Sequence, residues 1–221
     1  MFRNFLGGKS SVRKTASERA EPSGPRIPRH SSGWGQMRRH FKTGQNLRVL
    51  DVGPTSSTNI NYLTSLGHSI YMADLVEESL KAEWRLPRVE GEPAAYDAAG
   101  FVSEHMSFAG RNFDAVLFWD AADYLPAPLV APVINRLYQV MPQGGLLLGF
   151  FHSAIREQGS QPQVYCRYHL MDEDNVQCQQ CGRRAAPFIH NNRAIEKLFS
   201  QFSTYKFLLA KDNIREVIVT R

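Results

Sequence analysis

Residues 47–75 read LRVLDVGPTSSTNINYLTSLGHSIYMADL, and this stretch decides the fold. Leu47, Val49, Leu50 and Val52 form a short apolar run, bounded by Asn46 before it and by Gly53 and Pro54 after it. Such a run suits a strand buried on both faces. Thr55 to Thr58 offers hydroxyls fit to cap a helix N-terminus. Ile60, Leu63 and Leu66 then recur at helical spacing, and Gly67 ends the helix. His68 to Ala73 is a second β-like run, closed by Asp74. The spacing therefore predicts a βαβ unit with a right-handed crossover and parallel strands.

Asp51 closes the first strand and Asp74 the second. In open α/β sheets, ligands bind at that carboxyl edge. An ionised carboxylate after the second strand can accept hydrogen bonds from both hydroxyls of a ribose. An acid closing the first strand would repel a pyrophosphate on the helix N-terminus, so it points away from NAD. It suits a cationic ligand with an amino-acid end.

These residues resemble the class I S-adenosylmethionine (SAM)-dependent methyltransferases. The resemblance rests on Asp51-Val52-Gly53, on Asp74, on FDAVLFWDAADYL at residues 113–125 and on PQGGLLLGFF at residues 142–151, and it covers roughly Leu47 to Arg221. It departs from the family at the first turn, where Thr55 and Ser57 stand in place of two further glycines. It implies SAM as cofactor. Asp51, Gly53, Pro54 and Thr55 would hold the methionyl end, Asp74 the ribose, Leu75 would flank the adenine and Asp120 would line the methyl-donor pocket.

The 221 residues allow one domain with extras, and the 43% apolar content suffices for a sizeable core. No run approaches the length of a membrane span, and no apolar leader stands near the N-terminus. Three cysteines make no disulfide framework, which suits a reducing cytoplasm. The charge is uneven. Residues 1–42 hold ten Lys and Arg against Glu18 and Glu21, a net +8, leaving −3 of the total +5 for the rest. Ser10 to Gly35 is rich in Ser, Pro, Gly and Arg without periodicity. Residues 1–35 are therefore expected to be a disordered basic tail, either solvated or an arm for nucleic acid or a membrane surface. The folded domain is expected over residues 36–221, entered by a short helix at Gln36 to Lys42.

Beyond the central unit, Val76 to Leu86 is helix-like, with Leu80 and Trp84 on one face and Pro87 ending it. No good β run follows, and Ala95 to Phe108 reads as a helix. Phe113 to Trp119 is a buried strand ended by Asp120, with Asp123 and Tyr124 close behind. Leu129 to Met141 is an amphipathic helix, and Leu146 to Phe151 is the next strand. His152 falls just past it, on the ligand edge, as a candidate general base or a structural histidine. Asn191 to Phe202 is a helix. Tyr205 to Ala210 and Glu216 to Thr220 are two strands across a short loop, hence antiparallel, an ending typical of the resembling methyltransferases and not of NAD-binding domains.

Residues 161–189 are an insertion. Val164 to Met171 alternates like a strand, and Asp172 to Asn175 is turn-like. A four-residue loop would set His169 opposite Cys178 and Cys166 opposite Cys181. Cys166, His169, Cys178 and Cys181 have zinc-knuckle spacing. A Cys3His zinc site is one reading. A plain hairpin is the other, because alternation sends Cys166 and His169 to opposite faces.

The expectation is a doubly wound, mostly parallel Rossmann-like α/β sheet with a closing antiparallel hairpin and an inserted β-hairpin. Its function is SAM-dependent methyl transfer, by default to a small molecule. The other readings are a non-catalytic module of the same fold and a zinc-stabilised nucleic-acid adaptor.

Overall fold

The structure is a computed structural model that describes residues 24–153, 163–185, 188–208 and 212–221. Its centre is a six-stranded sheet in the order β3-β2-β4-β5-β9-β8. The strands are β2 (Arg48–Asp51), β3 (Ser69–Met72), β4 (Ala115–Trp119), β5 (Leu146–His152), β8 (Thr204–Leu208) and β9 (Ile214–Thr220). β2 pairs in parallel with β3 and β4, and β4 with β5, while β9 runs antiparallel to both β5 and β8. The chain reverses its order of addition at β2, so ligand-edge loops from β2, β3 and β4 converge there. Helices α2 (Ser57–Ser65) and α6 (Ala127–Val140) cross over between parallel strands. Gly67 follows α2 at φ +82°, a conformation open to glycine. As the sequence implied, no strand forms between β3 and β4; α4 (Ala98–His105) lies there instead.

The N-terminal boundary differs from expectation. Residues 1–23 lie outside the described residues. Arg26–His30 forms a strand, β1, and Ser32–Thr43 a helix, α1. Among the described residues, secondary structure is thus present well before residue 36. β1 owes its order to a distant partner, pairing antiparallel with β7 (Asn175–Arg184). Arg29 anchors it, donating to Asp212 at 2.7 Å and to buried Glu216 at 2.6 Å, with its guanidinium 4.7 Å above the Phe150 ring. Glu216 also accepts from the Gly33 amide at 2.6 Å, and a Cβ at Gly33 would stand 2.5 Å from Leu148, so α1 packs at glycine distance on the sheet. Arg38 and Lys42 pair with Asp174 and Asp172. Much of the basic charge at residues 24–42 is therefore spent within the fold.

β6 (Gln163–Leu170) and β7 form the expected inserted hairpin, joined by β1 into a second sheet of order β1-β7-β6. Its register is one residue off the expected one. Leu170 faces Val176, Tyr168 faces Cys178, and a bulge falls between Tyr165 and Cys166. The Trp34 indole donates to the Met171 carbonyl at 2.9 Å, and Ser31 donates its amide to the Asp174 carbonyl at 2.9 Å. These contacts hold Met171 in the loop. The helix expected over Val76 to Leu86 is shorter, α3 (Leu75–Ser79), because the chain then turns to set Trp84 edge-on to Phe101, 5.4 Å away.

Candidate functional site

The carboxyl edge gathers the acids singled out in the sequence, with different partners for each. Asp51, at the end of β2, is buried. Its two oxygens accept from Asn59 Nδ2 at 2.7 Å and Trp119 Nε1 at 2.6 Å. Burial pushes its carboxyl up to about 6 in spite of these donors. Gly53 is buried behind it, Pro54 is half-buried and Thr55 is exposed at the mouth of the turn. Ser56, rather than the flanking threonines, caps α2, its hydroxyl accepting from the Asn59 amide at 3.2 Å.

Asp74 stands half-buried after β3 and caps α3 by accepting from the Glu77 amide at 3.2 Å, with Leu75 buried beside it. Asp120 follows β4, is 3% exposed and accepts from the Tyr168 hydroxyl at 2.9 Å. Burial pushes it up to about 6, against the pull of His152 and Tyr168. It occupies the cap position of α5 (Ala121–Tyr124) but makes no side-chain cap bond there. His152 ends β5, and its Nδ1 lies 2.8 Å from Asp123 Oδ2.

Three further residues organise this edge. Trp119 sits at φ +46° behind a β-bulge, a strained backbone for an aromatic residue. That turn aims its indole at Asp51 and lays Cδ1 where a Cβ at Gly53 would meet it at 3.4 Å. Tyr168, on β6, stacks on Trp119. Asn59 ties α2 to β6, donating to the Tyr168 carbonyl at 3.1 Å and accepting from the Leu170 amide at 2.8 Å. The signal for Asn59 was a polar residue on the buried side of α2, eight positions after Asp51. Tyr168 carried none, because only the hairpin's position brings it here.

The knuckle residues do not converge. His169 Nδ1 meets the Ser56 hydroxyl at 2.8 Å and Nε2 meets Gln179 Oε1 at 2.9 Å, so both ring nitrogens are engaged. Among the described residues, no group of three or more His, Cys, Asp or Glu side chains is placed to hold a metal ion. A cavity of about 120 Å³ lies behind α5, lined by Ala122, Leu125, Val130, Phe188, His190 and Leu198, away from the three acids.

Residues 50–149, from β2 through β5, match the family profile of the methyltransferase domain. The match is to a methyltransferase domain and spans a little under half of the chain. No curated protein matches the sequence significantly. Among solved structures, the chain is similar to 1,6-didemethyltoxoflavin-N1-methyltransferase of Burkholderia thailandensis, solved with S-adenosylhomocysteine (SAH), at 11% identity over 86% of this chain and 79% of that one, TM-score 0.44. It is similar to magnesium protoporphyrin IX methyltransferase of Synechocystis PCC 6803 with bound SAH, at 13% identity over 86% and 80%, TM-score 0.47. A SAM-dependent methyltransferase of Methanosarcina mazei aligns at 13% identity over 83% and 96%, TM-score 0.48. Among the described residues, no helix is long and apolar enough to cross a membrane.

Proposed function

We propose that the chain is a SAM-dependent methyltransferase acting on a small-molecule acceptor. The reading is carried by the family match over residues 50–149, which takes in Asp51, Asp74 and Asp120 at one sheet edge. The ribose side fits the cofactor. Asp74 stands at that edge with buried Leu75 beside it. A carboxylate accepts more than one hydrogen bond, so capping α3 is compatible with binding ribose hydroxyls. Gly53, Pro54 and Thr55 would hold the methionyl end through the backbone of the turn. Asp51 acts at one remove, fixing that turn through Asn59 and Trp119. In this conformation Trp119 and Tyr168 cover the same turn, so binding there requires their stack to part. Once bound, the cofactor supplies an activated methyl group on a sulfonium, and alignment provides most of the rate. Asp120 lines the donor pocket, and His152 serves as the base for an acceptor with a proton to lose.

The test is isothermal titration of SAH into the folded protein and an Asp74→Ala variant. Micromolar binding lost in the variant is the expected result. Absence of binding by a folded wild-type sample overturns the reading.

A further inference from the structure

Asp123 is a buried carboxylate placed on one histidine. It lies on α5, three residues past Asp120, and its side chain is 0% exposed. Its Oδ2 accepts twice from His152, from the backbone amide at 2.6 Å and from ring Nδ1 at 2.8 Å. Among the described residues its Oδ1 has no hydrogen-bond partner, and His190 Nε2 lies 3.9 Å from it. Burying a carboxylate is costly, and one backbone amide would suffice to tie α5 to the end of β5. The second bond does something else. A carboxylate can only accept, so Nδ1 must carry the proton and the basic lone pair must lie on Nε2. The imidazole is also held edge-on to the Tyr124 ring, 5.9 Å between centroids, and stays 19% exposed.

We propose that Asp123 is a positioning residue that sets His152 as general base, and that the methyl acceptor therefore presents an ionisable O–H or N–H, as a phenol, an enol or a heteroaromatic ring nitrogen does. The inference rests on the methyltransferase reading above and adds the acceptor class. The step balances without any further reagent. The acceptor gives its proton to His152 Nε2. Its freed lone pair forms the bond to the methyl carbon, and the carbon–sulfur pair returns to sulfur, leaving a neutral thioether. The imidazolium then passes the proton to water. An acceptor without such a proton, a thioether for instance, needs neither His152 nor Asp123.

The experiment uses the whole chain, wild type, His152→Gln and Asp123→Asn, in three measurements. SAH titration comes first, and its affinity is expected to be equal in all three. If wild type fails to bind, the cofactor reading itself has failed, and this inference with it. Conversion of SAM to SAH is then followed against pH with catechol, 4-hydroxybenzoate and xanthine as protic probes and dimethyl sulfide as the aprotic one. Turnover is expected with a protic probe only, kcat/KM rising with pH along the His152 titration. It should fall ~10²-fold in His152→Gln and ~10-fold in Asp123→Asn. Proton NMR of the His152 ring decides independently of turnover. Losing the carboxylate should lower the His152 midpoint by about one pH unit. An unchanged midpoint in Asp123→Asn, a pH-flat rate, or turnover of dimethyl sulfide overturns the proposal.

Discussion

The indole of Trp119 lies flat on the phenol of Tyr168, ring centroids 5.0 Å apart and planes 15° from parallel. The pair joins the end of β4 to the inserted hairpin directly over the first turn. Each ring is also tied to an acid, Trp119 to Asp51 and Tyr168 to Asp120. On the proposed reading, a cofactor entering at its methionyl end has to break this stack. Tyr168→Ala should therefore bind SAH faster, on the order of tenfold in association rate, because a conformational step is removed. Stopped-flow Trp fluorescence reads it, and equal rates would show that the stack is no barrier. The same change should cost about 3 kcal/mol of stability, as the ring is buried.

Asp51 and Asp120 give the protein an acid-side stability gain. Each is raised from 3.8 to about 6 by burial. Between those values the folded state keeps protons that the unfolded chain has lost. Stability thus falls as pH rises from about 4 to 6, by roughly 3 kcal/mol per carboxylate. Urea titrations of wild type and Asp120→Asn should diverge in favour of the variant as pH goes from about 4 to 6. The difference isolates this acid from half-buried His40 and buried His169, whose lowered titration acts in the opposite direction. Parallel curves would mean that Asp120 is solvated in solution.

Arg29 should be the residue that secures the N-terminal segment. Arg29→Ala leaves Glu216, 1% exposed, with the Gly33 amide but without its cation. Removing one member of a buried pair costs about 3–5 kcal/mol. A loss below about 1 kcal/mol by denaturant titration would show that β1 docks through its backbone pairing alone.

The three cysteines should behave as packing residues. Burial pushes the Cys178 and Cys181 thiols up to about 12, so both stay protonated near neutral pH. Thiol reagents should modify them slowly until the protein unfolds, and a chelator should leave Tm unchanged. A Tm lowered by chelation would restore the zinc reading of the hairpin.

Local pattern was enough for the sheet. The apolar run at Leu47 to Val52, the helical spacing of Ile60 and Leu63, and the buried strand before Asp120 each carry their own periodicity. They place Asp51, Asp74 and Asp120 on one edge before any contact is known. The paired strands at the C-terminus were legible for the same reason. What the sequence determined by itself is therefore the fold and the acids on its ligand edge, because these follow from burial repeated over a few residues. The tertiary structure alone decided what those acids touch. β1 is ordered by β7, roughly 150 residues away, and the hairpin register is held by Trp34. Tyr168 reaches Asp120, and Asp123 reaches His152, across turns that no periodicity encodes. Such contacts depend on how separate elements dock, and a hydrogen bond between distant residues leaves no repeat in the chain to reveal it.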